Sequence, residues 1–316
     1  MENKNNWKAW LYLAPIIILM AVFTFYPIVN TFFVSFLKDY NYTNGTYSGF
    51  TFDNYIEVLT PLYNTNGNTG TMFENVMLIA LPNTLLLTII TVPASIALAL
   101  LIAICLNSIK WLKSIFQTIF FMPYVTNAIA IGMVFSVIFD TQYGIFNSLF
   151  NIQGFPWIYP NPQTGQMVNY WSGVFAICVY IVWHSLPYKI LIFLGGLQNI
   201  DKQYYEAAQI DGASKFKTAL KVTIPLLSPQ ILYVMITSFI GAFKEYNSVV
   251  GLFGTDGGSF DASTGPRNMS TMVYFIYDQI AKNKVQYASA AAVFLFIIIM
   301  IFTGIQFKVS KKRVHY

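Results

Sequence analysis

"YYEAAQIDGASKFKTALKVTIP", Tyr204 to Pro225, decides how this chain is read. It is a polar, lysine-bearing island with long apolar stretches on either side. Of the 316 residues, 56% are hydrophobic and 10% are charged, with a mean hydropathy of +0.54. A soluble domain carries about 25% charged residues, so most of this chain belongs in lipid and the island lies outside it. Tyr204 to Phe216, preceded by Lys202 and Gln203, predicts about three helical turns. Glu206 near the start suits the helix dipole. Ala207, Ala208 and Ala213 offer small packing surfaces, and Gly212 permits a close approach or a local break. Lys215 and Lys217 can meet headgroups or an acidic partner, and Pro225 opens the next apolar segment. Composition alone leaves two uses open, a helix lying on the bilayer surface or a docking helix.

A spanning helix needs about 20 mostly apolar residues. Six segments qualify: 10–36, 76–106, 115–139, 171–197, 222–247 and 287–307. Each must be helical, because lipid offers no partners to backbone N–H and C=O groups. Pro27, Pro82, Pro93, Pro123 and Pro187 predict kinks or broken turns in them. With the N-terminus inside, Lys4, Lys8, Lys110, Lys113, Lys202, Lys215, Lys217, Lys221, Lys308, Lys311, Lys312 and Arg313 face the cytoplasm, twelve of the eighteen basic residues. That bias places both termini in the cytoplasm. The apolar run from Trp10 is too long for a signal-peptide core and reads as a retained first helix. The outer loops, 37–75, 140–170 and 248–286, are rich in Asn, Gly, Thr, Tyr and Pro and read as turns and short interfacial pieces. The expected organisation is an N-terminal helix and external loop over 1–72, a five-helix core over 73–308 with the polar helix at 203–216, and a basic tail at 309–316.

The net charge of +5 does not indicate nucleic acid, because the lysines fall in short loops and at the C-terminus. Cys105 and Cys178 lie in apolar runs, and His184 and His315 are far apart, so neither a disulfide framework nor a metal site is expected. No GxxxxGK[ST], HExxH or GxSxG pattern occurs. The chain is therefore not expected to be an enzyme. A secondary carrier would show two matching halves with intramembrane acids, and a membrane enzyme would show a cluster of nucleophile, base or metal ligands. Neither pattern is present.

Glu206-Ala207-Ala208, three residues, Gly212, nine residues, then Val222-Thr223-Ile224-Pro225 closely resembles the EAA signature of ATP-binding-cassette importer permeases. Val222 and Ile224 replace the usual Ile and Leu. The extension Asp211-Gly212-Ala213 resembles the carbohydrate branch. "WLKSIFQTIFFMPYVTNAIAIGMVFSVIF" (111–139), with its turn at Phe121 to Pro123, is similar to the family's third span. "LIFLGGLQNIDKQYYEAAQIDGAS" (191–214) is similar to its fourth-span exit. "QFKVSKKRVHY" (306–316) resembles the ending of permeases for glycerol-3-phosphate and for raffinose-type and multiple sugars.

The resemblance implies an all-α integral membrane chain of six helices, the type I importer fold, in the bacterial inner membrane. It implies a homologous second permease, two ATPase subunits, an extracellular solute-binding protein and a sugar substrate as partners, alongside membrane lipid and without nucleic acid. ATP and Mg²⁺ would sit on the ATPase, leaving this chain without a cofactor. The polar island becomes a coupling helix seated on the ATPase. An oligosaccharide is the expected cargo, with glycerol-3-phosphate as the rival. Two clusters are candidates for the substrate path. "WHSLPYKI" supplies Trp183, His184, Tyr188 and Lys189, aromatic faces and donors beside Pro187. "GAFKEYNSV" supplies Phe243, Lys244, Glu245 and Tyr246. The alternatives are an internal packing cluster for the first and charges snorkelling to the interface for the second.

Overall fold

The computed structural model describes residues 6–61, 71–109, 113–152 and 154–310. Lys4, Lys110 and the tail residues 311–316, His315 among them, lie outside the described residues. Contacts divide the chain into two compact units, Met1–Val76 with Phe275–Ile297, and Met77–Tyr274 with Ile298–Tyr316.

In the first unit, α1 (6–34) carries side chains that from Trp10 onward are almost all exposed, as a lipid-facing helix requires. A hairpin of β1 (Leu37–Lys38) and β2 (Gly49–Phe50) follows, then α2 (Asp53–Leu59). The buried Asn54 amide ties the hairpin down, donating to the Ser35 and Leu37 carbonyls at 2.9 Å each.

The remaining helices are α3 (Glu74–Ser108), α4 (Lys113–Val125), α5 (Ala128–Ile138), α6 (Ile145–Leu149) and α7 (Tyr170–Gln198). After them come α8 (Lys202–Ile210), α9 (Lys215–Leu226), α10 (Ser228–Phe243), α11 (Asn247–Phe253), α12 (Met272–Ala281) and α13 (Val285–Ser310). Among the described residues, four helices are long and apolar enough to cross a membrane unbroken: residues 10–34 of α1, α3, α7 and α13. The other two expected spans are bent pairs. α4 and α5 meet at 105°, and α9 and α10 at 69°. Six spans therefore hold only with each bent pair counted as one. The first break follows from Pro123 near the end of α4 and from Asn127, whose side chain caps α5 by accepting the Ile129 and Ala130 N–H groups. The second is at Leu227, between Pro225 and Pro229.

Prolines also explain three wide turns. π-helical segments at Ala21–Phe25, Glu74–Ala80 and Ala219–Thr223 end two residues before Pro27, Pro82 and Pro225. A proline has no N–H and its ring crowds the carbonyl four residues back; widening the preceding turn relieves both. Pro93 and Pro187, by contrast, sit inside uninterrupted helices.

In the second unit α3 packs along α7, and two apolar clusters form around them. One centres on Phe139, Ile177, Tyr180 and Leu252, the other on Ala99, Ile190, Phe193 and Leu227. Gly132 of α5 faces Gly251 of α11 so closely that a Cβ on Gly132 would lie 2.6 Å from the Gly251 Cα. One buried polar group, Asn83, is satisfied across long separations. Asn83 accepts the Tyr170 hydroxyl at 2.6 Å and donates to the Asn268 and Ser270 carbonyls. Cys178 is buried, Cys105 is exposed, and both are free.

Candidate functional site

Two places in the second unit gather the residues that the sequence singled out, the α8–α9 loop and a cavity between α3, α7 and α10. The loop is built by local rules. Asp201 caps α8, its carboxylate accepting the Gln203 N–H at 3.0 Å. Glu206 lies in the second turn, so Asp201 rather than Glu206 faces the helix N-terminus. The expected helix through Phe216 is two helices, because α8 stops at Gly212. Gly212 has φ +67°, its N–H bonds Gln209 O at 3.0 Å, and the Ala213 N–H bonds Ala208 O at 2.9 Å. Together these make a Schellman motif, with Gly in the left-handed position and Ala213 returning over Ala208. The spacing from Ala208 to Gly212 to Ala213 is the spacing this stop requires. Ser214 then caps α9, accepting the Lys217 N–H at 3.3 Å. Ala208 is buried, while Glu206, Ala207, Asp211 and Gly212 are exposed. Tyr204, Ile210 and Phe216 stand outward as well, Ile210 at 87% exposure. Pro225 stands in the first turn of the α-helical end of α9, Ile224–Leu226, directly after the π turn, close to a helix start as expected. Behind the loop a hollow of about 330 Å³ separates it from the end of α3, lined by Asn107, Ser108, Tyr205 and Gln209.

The cavity holds about 370 Å³. α7 contributes His184, Ser185, Tyr188 and Lys189; α10 contributes Thr237 and Ser238, with Glu245 just beyond its end; Thr91 of α3 and Tyr124 of α4 complete the polar lining. Lys189 is 5% exposed. Its ammonium donates to the Ser95 hydroxyl and, at 3.2 Å, to Ser185 Oγ. Among the described residues no carboxylate lies within ion-pair distance of it. The Tyr188 and Tyr233 hydroxyls are 2.9 Å apart, joining α7 to α10, and the Tyr124 and Tyr188 rings stack at 6.2 Å. Glu245 Oε1 accepts the Ser248 N–H at 3.0 Å and so holds the start of α11.

Four of the eight expected path residues thus line one cavity: His184, Tyr188, Lys189 and Glu245. The other four lie elsewhere. Trp183 packs on Phe135 with ring centroids 5.3 Å apart. Phe243 is buried against Phe302. Lys244 is exposed, and Tyr246 packs toward Tyr274. Consecutive residues on a helix point in different directions, so a contiguous stretch cannot all face one space. Tyr124, Tyr233, Thr237, Ser238 and Ser95 escaped notice in the sequence. A signal was there: Tyr233, Thr237, Gly241 and Glu245 recur every four residues, as do Thr84, Thr88, Thr91 and Ser95 at three or four. No group of three His, Cys, Asp or Glu side chains that could hold a metal occurs among the described residues.

This arrangement of helices is one found in a solved membrane protein. The chain superposes on a chain of a crystal structure of a bacterial ABC transporter involved in the import of the acidic polysaccharide alginate. The TM-score is 0.75, with 16% identity, over 97% of this chain and 96% of that one. Residues 92–316 match the family described as "Binding-protein-dependent transport system inner membrane component", and the chain belongs to that family. It is a multi-pass protein of the bacterial plasma membrane. It is similar to the arabinooligosaccharides transport system permease protein AraP of Bacillus subtilis, 33% identical over 95% of this chain and 88% of that protein. The lactose transport system permease protein LacF of Rhizobium radiobacter is 30% identical over 97% and 95%. The multiple sugar-binding transport system permease protein MsmF of Streptococcus mutans is 29% identical over 98% and 97%.

Proposed function

We propose that this chain is a transmembrane permease subunit of an ATP-driven, solute-binding-protein-dependent sugar importer, with an oligosaccharide as cargo. The observation that carries this is one of connectivity. The two helices that line most of the cavity, α7 and α10, are joined through the exposed α8–α9 loop. A partner that pushes on the loop moves both walls of the cavity. The names of the relatives, for arabinooligosaccharides, lactose and multiple sugars, support the cargo class. In this reading ATP and Mg²⁺ belong to a separate ATPase docked on α8–α9, and both termini share its cytoplasmic side. A homologous permease completes the path, and a solute-binding protein delivers the sugar from outside. Glu206, exposed on α8, makes a charge-assisted contact with the ATPase. Gly212 holds the loop in its tight turn.

The test is Glu206→Lys in the assembled complex. Uptake is expected to fall about tenfold or more while ATP hydrolysis loses its dependence on loaded binding protein, as for loss of a charge-assisted contact. Normal uptake with normally stimulated hydrolysis would sink the assignment. A glycerol-3-phosphate importer is the second reading, and the buried Lys189 is the observation that favours it.

A further inference from the structure

We infer that the cavity between α3, α7 and α10 takes a polyhydroxylated substrate bearing one anionic group, which the Lys189 ammonium receives. The inference rests on the importer reading above and narrows its substrate class. Lysine is rarely buried without a charge partner, because its ammonium is strongly hydrated in water. Here the group is 5% exposed and held by two neutral hydroxyls, Ser95 and Ser185, from α3 and from its own helix. An ammonium has three donors. Two are used, and the residue lines the cavity, so the third is available to a bound molecule. A neutral acceptor would satisfy the hydrogen bond but leave the buried charge uncompensated; an anion does both.

The cavity's one carboxylate does not cancel this. Glu245 is engaged with the Ser248 N–H at the start of α11, and it is not within ion-pair distance of Lys189. The rest of the polar lining suits the uncharged part of such a substrate. Thr91, Thr237, Ser238 and the Tyr188 hydroxyl offer hydrogen bonds to sugar or polyol hydroxyls, and the stacked Tyr124 and Tyr188 rings offer an aromatic face. A volume of about 370 Å³ on this chain has room for one or two sugar rings, the rest of a longer substrate facing the second permease that completes the path. The anion can be a carboxylate, as in a uronic acid, or a phosphate, as in a polyol phosphate. The ammonium is a point charge that serves either.

The assembled complex, purified through a tag on this chain and without its solute-binding protein, is titrated with glucose, glucuronate and glycerol-3-phosphate. At least one anion is expected to bind about tenfold tighter than glucose or more. The winning anion separates carboxylate from phosphate. The preference is expected to vanish in Lys189→Met and to return in Lys189→Arg. Equal affinity for all three ligands, including no detectable binding of any, overturns the inference. So does a preference that survives Lys189→Met. The wild-type comparison decides even where a variant fails to assemble. A complex that uncouples in Glu206→Lys but shows no preference for anions keeps the importer reading and loses this one.

Discussion

The α8–α9 loop and the α7–α10 cavity are joined by the same two helices, yet they are made by different physics. In the loop each hydrogen bond that sets the backbone spans five residues or fewer: Asp201 to Gln203, Ala208 to Ala213, Ser214 to Lys217. In the cavity the deciding contacts join residues far apart in the chain, Lys189 with Ser95 and Tyr188 with Tyr233. A local device reveals itself by spacing in the sequence. A cavity wall exists only once three or four helices have packed.

The contrast breaks first at its non-local end. Gly132→Leu places a side chain against the Gly251 backbone, where a Cβ alone would be 2.6 Å from Cα. Overpacking of this kind costs about 1–3 kcal/mol or more. The expected outcome is a sharp drop in the yield and melting temperature of the assembled complex. A normal melting temperature would mean that α5 and α11 are not locked as described.

Substitutions at Gly212 test the local end. A Cβ there meets nothing within 4 Å, so space is not the constraint; the φ of +67° is. A left-handed residue other than glycine costs about 1–2 kcal/mol, least for Asn and most for a β-branched side chain. Coupling between ATP hydrolysis and uptake is expected to fall in the order Gly212→Asn, Gly212→Ala, Gly212→Val. If Val couples as well as Asn, the Schellman turn is not what the loop needs.

The smallest effect comes from the cavity wall. Tyr188→Phe and Tyr233→Phe each remove one hydroxyl of a shared hydrogen bond. Each is expected to lower stability by about 0.5–1.5 kcal/mol, with the double variant little worse than either single one. Thermal unfolding of the complex reads this directly. Fully additive losses would show that the two hydroxyls do not act as a pair.

How much was legible follows the same division. The α8–α9 loop was visible as a polar helix carrying Gly212, but its caps, Asp201 and Ser214, were not singled out. Its helix was expected to run through Phe216, and Gly212 ends it by adopting φ +67°. The apolar spans were visible from composition. Their breaks were only partly so. Pro123 and Pro225 mark the two bent pairs, yet Pro93 and Pro187 leave their helices uninterrupted. A proline announces a lost N–H, and its neighbours decide whether the helix bends there or absorbs it.

For the cavity, the sequence singled out α7 and the end of α10 because charged and polar side chains are costly in lipid. It could not say that Trp183 and Phe243 turn to other surfaces, nor that Tyr124 arrives from α4. The sequence by itself determined that the chain is a multi-span membrane protein with a polar, glycine-bearing helical loop between two of its spans. Lipid demands apolar helices, and a left-handed turn demands glycine. Tertiary structure alone decided which side chains share a space and which hydroxyls hold Lys189. Those depend on how α3, α7 and α10 are rotated against one another, and hydrophobicity does not encode that rotation when a helix is apolar on nearly every side.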